Sequence, residues 1–132
     1  MPVNGSELRL LGRWTSGAGL AGAEISAVDK ESKRLFVTNG AKNAIDIVDI
    51  SNPKKVKLVK SVDFTALGSS GIQSVAAKNG IVVVASAGAS KTAPGILFIM
   101  DVNGKMVKGL PAGLTVGALP DSVTISKDGK YA

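Results

Sequence analysis

Three polar residues, each at the start of a similar segment, are the side chains best suited to ligand binding in this 132-residue chain. Glu24, Gln73 and Asp121 each precede a short apolar stretch, a polar turn containing lysine and a second apolar stretch. Carboxylate and amide oxygens are the groups that a hard cation such as Ca²⁺ takes from proteins. If the fold brings these positions together, they could bind Ca²⁺ or a polar ligand, with Glu24 and Asp121 as the metal-ligand candidates. We favour the alternative, that they cap strand ends by hydrogen-bonding to neighbouring backbone amides.

Few other residues of the chain are suited to catalysis. The chain contains no histidine and no cysteine, which removes the usual general base, the commonest zinc ligand and the thiolate nucleophile. Asp49 and Asp101 each end a predicted strand before a turn, where an aspartate commonly accepts backbone N–H bonds. The segment Gly17–Gly22 has the spacing of a dinucleotide-binding loop, but a strand and not a helix follows it, which favours a flexible loop. We therefore assign no catalytic residue and favour a non-catalytic protein, with Ca²⁺ as the one cofactor that the residues suggest.

The net charge of +6 raises the question of an anionic partner. Only Lys54 to Lys60 is locally dense in lysine, and its alternation favours a strand with one basic, solvated face. The lysines as a whole are scattered over successive turns, and aromatic residues for base stacking make up only 4% of the chain, so nucleic acid is not an expected partner. The lysines of the turns are Lys30, Lys33, Lys54, Lys55, Lys78, Lys105, Lys127 and Lys130.

The elements that must position these residues are β-strands. Apolar and polar residues alternate along most of the chain, and Asn-Gly and Asp-Gly pairs mark hairpin turns between the strands. The three similar segments recur about every 47 to 49 residues, with roughly four strands in each interval, which is typical of β-propeller blades. A β-sandwich would explain the alternation but not the repeat. The predicted strands are Leu8–Trp14, Ala23–Asp29, Arg34–Thr38, Ala44–Ile50, Val56–Asp63, Ile72–Lys78, Ile81–Ser86, Gly95–Asp101, Lys105–Leu110 and Ser122–Ser126.

The repeat predicts an all-β fold: a partial β-propeller over residues 7–132, with about two four-stranded blades plus edge strands of neighbouring blades. The repeats start near residues 24, 73 and 121, and residues 1–6 are expected to be an added start or the remnant of a leader. The first strand of each blade lines the central channel of a propeller, so Glu24, Gln73 and Asp121 are predicted to line it. Isolated blades expose their end faces, so we expect self-association or contact with the remaining blades of a parent protein. Strand Leu8–Trp14 could then complete a blade begun by a neighbour's Ser122–Ala132.

Several short stretches, in order along the chain, resemble a known group. The run Ile45–Pro53 resembles the LVIVD-type blade motif, in which a third strand ends in Asp-Ile-Ser and a proline begins the next turn. Together with Ala23–Ile25 and Arg34–Asn39 it is similar to the start of the choice-of-anchor family I propeller domain. Gly117–Asp121, followed by Asp128–Tyr131, resembles the start of the next blade in that family.

The resemblance implies a secreted or cell-surface repeat protein of bacteria or archaea that serves in binding or scaffolding. Some members carry names taken from alkaline phosphatases or phytase-like propellers, which implies the alternative of a Ca²⁺-dependent phosphoesterase. The domain is normally several times longer than this chain, so the sequence corresponds to its first blades. An acidic segment that usually follows the final Lys-Tyr of the pattern is not present here. No stretch of this chain reaches the roughly 18 to 20 apolar residues of a membrane span.

Overall fold

Two antiparallel four-stranded sheets make up the fold, which is all-β as predicted. The computed structural model describes residues 7–132, so the expectation for residues 1–6 lies outside the described part. Both sheets keep the order of the chain, and within residues 7–132 they do not close into a ring, which is consistent with partial propeller blades. The first sheet contains β1 (Ser26–Asp29), β2 (Arg34–Asn39), β3 (Ala44–Asp49) and β4 (Lys57–Asp63). The second contains β5 (Gly71–Lys78), β6 (Ile81–Ala87), β7 (Pro94–Asp101) and β8 (Leu114–Ala118).

The β5–β6 turn shows how local sequence determines a hairpin. Asn79 and Gly80 have φ angles of 51° and 82°, and the flanking Lys78 and Ile81 are paired. Two successive positive φ angles are the requirement of the tight turn that matches strand twist, and Asn-Gly meets it at little cost. The hairpin signal read from the sequence is confirmed here.

The fourth strand of the second sheet is not where the alternation placed it. We predicted Lys105–Leu110, but there only Met106 forms a single bridge, with Met100, and the strand is Leu114–Ala118. The reason lies at Gly113, whose φ is +75° and where a Cβ atom would lie 2.5 Å from Ile96 Cγ2. The chain therefore turns at a position where only glycine fits, and β8 pairs with β7 after it.

The predicted edge strands are also absent from the sheets. Neither Leu8–Trp14 nor Ser122–Ser126 has strand geometry, and Leu8 is fully exposed. A strand needs a neighbour to take up its backbone hydrogen bonds, and the described residues supply none for these two segments. Ser122–Ala132 nevertheless lies against the second sheet, because the Val123 N–H donates to the Ser74 hydroxyl at 3.2 Å.

The core lies between the two sheets. β5 packs against β1 and β2, and one face of each sheet supplies the buried side chains. The buried core residues are Phe36, Ile45, Ile47, Val62, Phe64, Ile72, Val75, Val82, Val84, Phe98 and Met100. The rings of Phe64 and Phe98 lie 5.0 Å apart at 50°, a tilted arrangement that favours contact between aromatic edges and faces. The two sheets thus bury one continuous apolar layer.

Candidate functional site

Glu24 and Gln73 occupy equivalent places in the two sheets. Arg34 pairs with Asp49 in the first sheet, and Ile81 pairs with Asp101 in the second. Counted from these pairs, each residue of β2 corresponds to one of β6, and each residue of β3 corresponds to one of β7. In this register Thr38 of β2 corresponds to Ala85 of β6. Ile25 bonds to Thr38 through its N–H and C=O, and Ser74 pairs with Ala85, so Ile25 corresponds to Ser74. The residue before each is Glu24 in one sheet and Gln73 in the other. Both therefore lie at the same end of the first strands of the two sheets, β1 and β5.

The local structure differs at the three predicted positions. Glu24 is exposed and precedes β1, whereas Gln73 is half-buried at a β-bulge of β5. The Gln73 side chain reaches only the Gly71 carbonyl, at 3.5 Å. Asp121 is exposed and follows Pro120 in a segment without strand geometry. Between residues 7 and 132 no three carboxylates come together as a metal-binding group. Channel lining and Ca²⁺ binding by these residues stay predictions.

A cavity of about 650 Å³ lies on the outer face of the first sheet. Its walls are Trp14, the loop of residues 19–22, Glu24, and the side chains of Leu35 and Val37 on β2. We call it the Trp14 hollow. The loop is held by a bond from the Gly22 N–H to the Gly19 carbonyl, at 3.1 Å. The hollow combines mainly apolar walls with three hydroxyl side chains and one carboxylate, so it suits a largely hydrophobic surface or ligand.

Register explains the Trp14 hollow. Leu35 and Val37 in β2 correspond to Val82 and Val84 in β6, by the pairing described above. Val82 and Val84 are fully buried because that face of the second sheet packs on the first. On the first sheet the same face is only partly covered, and Val28, which pairs with Leu35, is 45% exposed. The hollow therefore lies on the face of the first sheet that is equivalent to the face by which the second sheet packs on the first. Sequence reasoning missed it, although the repeat alignment contained the signal.

The buried polar groups mostly bind one another. The Asp46 carboxylate, 2% exposed, accepts hydrogen bonds from Asn39 Nδ2 at 2.8 Å and from the Ser61 hydroxyl. Ser86 donates to the Ser69 hydroxyl at 2.6 Å, and Ser69 donates to Asn43 Oδ1 at 2.8 Å. Hydroxyls committed in this way hold strand ends together and are not poised as nucleophiles.

Asp29 joins the two sheets. Its Oδ2 accepts bonds from the Ser32 N–H (3.0 Å) and hydroxyl (2.6 Å), and its Oδ1 accepts from the Gly80 N–H of the next hairpin at 3.2 Å. Burial raises the pKa of Asp29, but the bonds from Ser32 and Gly80 outweigh burial and leave the pKa below its ordinary value. The carboxylate is therefore ionised at neutral pH and has a structural role.

Other carboxylates shape turns. The Asp49 carboxylate accepts from the Ser51 N–H at 2.8 Å, and Asp101 accepts from the N–H groups of Asn103 and Lys105 at 2.8 and 2.9 Å. The predicted turn role of Asp49 and Asp101 is confirmed. Hydrogen bonds from the Ser51 side chain and N–H lower the pKa of Asp49.

Two further aspartates follow the same pattern. Bonds from the Thr65 backbone and side chain lower the pKa of Asp63. The Ser126 hydroxyl, with the Lys130 N–H, lowers the pKa of Asp128. Both carboxylates accept bonds from their own turns and therefore stabilise the local turn conformation.

Comparison with known proteins agrees with this architecture. The family described as the choice-of-anchor I domain matches residues 24–132, which is most of the chain. Curated protein sequences provide no match. Between residues 7 and 132 the structure contains no helix that is long and apolar enough to cross a membrane. With a family match that extends over both four-stranded sheets, the chain belongs to the choice-of-anchor I family.

Proposed function

We propose that this chain is a non-catalytic, secreted or surface-exposed part of a β-propeller that serves in binding or scaffolding. The observation that carries the proposal is the contrast between its polar and apolar surfaces. The Asp29, Asp49 and Asp101 carboxylates accept hydrogen bonds within the fold, while apolar residues on the outer face of the first sheet stay exposed. A surface that offers apolar area and no reactive pair is suited to association.

We further propose that the partner on this face is another blade, which a second copy supplies when the chain is alone. The second sheet buries the equivalent face, with Val82 and Val84 at 0% exposure, against a neighbouring blade. The apolar side chains of Val28 and Leu35 are therefore suited to packing against the surface of another blade of this chain. Copies joined through unlike faces can associate head to tail.

A light-scattering mass tests this self-association. We expect the wild-type chain at micromolar concentration to have at least twice the protomer mass. Val28→Lys should shift the mass to one protomer, because a buried, unpaired ammonium is costly in an apolar interface. Val59→Lys is the matched control: Val59 is 46% exposed in β4, against 45% for Val28 in β1. A monomeric wild type, or equal dissociation of both variants, would show that the outer face of the first sheet is not the contact.

The phosphoesterase alternative predicts a calcium site and turnover. We expect less than about 1 °C change in melting temperature with 10 mM CaCl₂, and no hydrolysis of a generic phosphate ester. A ligand at 100 times its Kd stabilises a protein by about 2.7 kcal/mol, which raises the melting temperature of a domain of this size by several degrees. MgCl₂ at the same ionic strength is the control. A calcium-specific shift that Glu24→Gln or Asp121→Asn abolishes, together with turnover, would overturn the non-catalytic proposal.

A further inference from the structure

Strand pairing collects the scattered lysine turns at one end of the molecule. Asp29, Arg34, Asp49 and Lys57 follow one another across the first sheet as paired residues, so the β1–β2 and β3–β4 turns lie at the same end. In the second sheet Ile81 pairs with both Lys78 and Asp101. The β5–β6 turn and the turn after β7 therefore also lie at one end of that sheet. The lysines that follow different strands in the sequence therefore share an end within each sheet.

Contacts between repeats bring these ends together. The Gly80 N–H of the β5–β6 turn donates to the Asp29 carboxylate beside the β1–β2 turn. In the third repeat, a Cβ atom at Gly129 would lie 2.9 Å from Asn79 Nδ2. Lys78 is also close enough to contribute to the lowered pKa of Asp128. We call the surface formed by residues 29–34, 49–57, 78–81, 101–105 and 126–130 the lysine end.

The lysine end holds nearly all of the net charge. It carries ten of the sixteen cationic side chains and five of the ten acidic ones, a net charge of +5 out of +6. The turns at the opposite end of the strands, residues 22–25, 39–44, 63–71, 87–94 and 118–121, carry two cations and three acids. Adjacent like charges on one surface raise the local potential and attract polyanions.

The acidic residues of the lysine end are mostly engaged by their own turns. Asp29, Asp49, Asp101 and Asp128 accept hydrogen bonds from nearby backbone N–H groups. They fix the turns that present the lysines, and eight of the nine lysines there are exposed. The exception is Lys78, which is half-buried.

We propose that the lysine end binds a linear, phosphate-bearing polymer without nucleobases. Lysine ammonium groups act as flexible point charges for phosphate and do not impose the two-point geometry of arginine. Among large apolar side chains of the lysine end only Ile81, at 41%, is substantially exposed, so the surface offers little for membrane insertion. Of the aromatic residues, Tyr131 alone borders this end, which disfavours single-stranded nucleic acid.

The experiment measures fluorescence anisotropy of end-labelled, long-chain inorganic polyphosphate. With about six phosphate contacts, affinity should fall roughly 300-fold between 50 and 200 mM salt, at about 0.7 counterions released per contact. Lys55→Gln/Lys105→Gln should lower the slope of log K against log salt by about 1.4 and weaken binding roughly tenfold at low salt. Lys42→Gln/Lys91→Gln has the same net charge but changes the opposite end, so it should bind within twofold of wild type. Far-UV circular dichroism checks that both variants are folded.

Three outcomes would overturn the proposal: no binding of polyphosphate, equal weakening by the two double variants, or binding to duplex DNA or to anionic lipid vesicles as tight as to polyphosphate. The inference rests on the proposed binding role, and the results separate the two. If polyphosphate does not bind while Val28→Lys still dissociates copies of the chain, the polymer proposal falls and the binding role stands. If calcium-dependent turnover appears, the non-catalytic role falls whatever polyphosphate does.

Discussion

Replacing Phe64 by alanine should lower the free energy of unfolding by about 3–5 kcal/mol, the range found for a buried phenylalanine. Phe64 is 0% exposed and follows β4 of the first sheet, and its ring contacts Phe98 of β7 in the second sheet. The substitution removes apolar area and leaves a cavity where the two sheets meet. Because a domain is stable by only about 5–15 kcal/mol, this is one of the largest effects we expect from one side chain.

Urea denaturation at fixed protein concentration measures this loss, followed by circular dichroism and by the fluorescence of Trp14, the single tryptophan. Leu20→Ala is the control, because Leu20 is 97% exposed and should change stability by less than about 0.5 kcal/mol. Phe64→Leu provides a milder version if the alanine variant does not fold. With Phe98→Leu added, a double-mutant cycle should give a coupling of about 0.5–1.5 kcal/mol. Separate transitions for the two probes in wild type would contradict a shared core.

Removing the Asp29 carboxylate should cost about 2–3 kcal/mol at pH 7. In Asp29→Ala the partly buried N–H groups of Ser32 and Gly80 lose their acceptor, and an unsatisfied donor away from water costs about 1–3 kcal/mol. The bond to Gly80 crosses from one repeat to the next, so the substitution also weakens contact between the sheets. Asp49→Ala is the matched control, since Asp49 has a similar turn role within one sheet, and a much smaller loss is expected. Equal losses for the two variants would show that the bond to Gly80 adds nothing.

The effect of Asp29 should depend on pH with a definite sign. Its pKa is lower in the folded chain than in the unfolded one, where an aspartate titrates at about 3.9. The native state therefore binds fewer protons, and the contribution of Asp29 is complete above that unfolded pKa and is lost as pH falls through the folded value. The difference in unfolding free energy between wild type and Asp29→Asn should be constant from pH 5 to 7 and smaller at pH 3. A difference that grows on acidification would contradict this assignment.

Features that depend on neighbours in the chain were predictable. Alternation located seven of the eight strands that the structure describes between residues 7 and 132 to within a few residues, because side chains of a strand alternate between its faces. The turn roles of Asn79, Asp49 and Asp101 followed from positive φ and from side-chain bonds to nearby N–H groups. The repeat and the blade-like motifs pointed to the family that residues 24–132 match.

Other features depend on contacts between residues that are far apart in the sequence. The position of β8 is decided by the space at Gly113 beside Ile96, which no alternation reports. Leu8–Trp14 has a strand-like pattern but has no strand beside it within residues 7–132. The Trp14 hollow arises because the face of the first sheet that carries Leu35 is only partly covered within residues 7–132, whereas the equivalent face of the second sheet, with Val82 and Val84, packs on the first sheet.

The sequence by itself determined the all-β class, the repeat of four strands and the family, since each rests on local periodicity and turn chemistry. The lysines are scattered along the sequence, and only the tertiary structure places most of them at one end of the strands. Each antiparallel hairpin returns the chain to the same end, so turns about 20 residues apart in the sequence become neighbours. Glu24 and Gln73 are brought to the opposite end by the same pairing. Which residues share a surface is thus a property of strand register, and that is why the candidate binding surfaces became visible only in the folded chain.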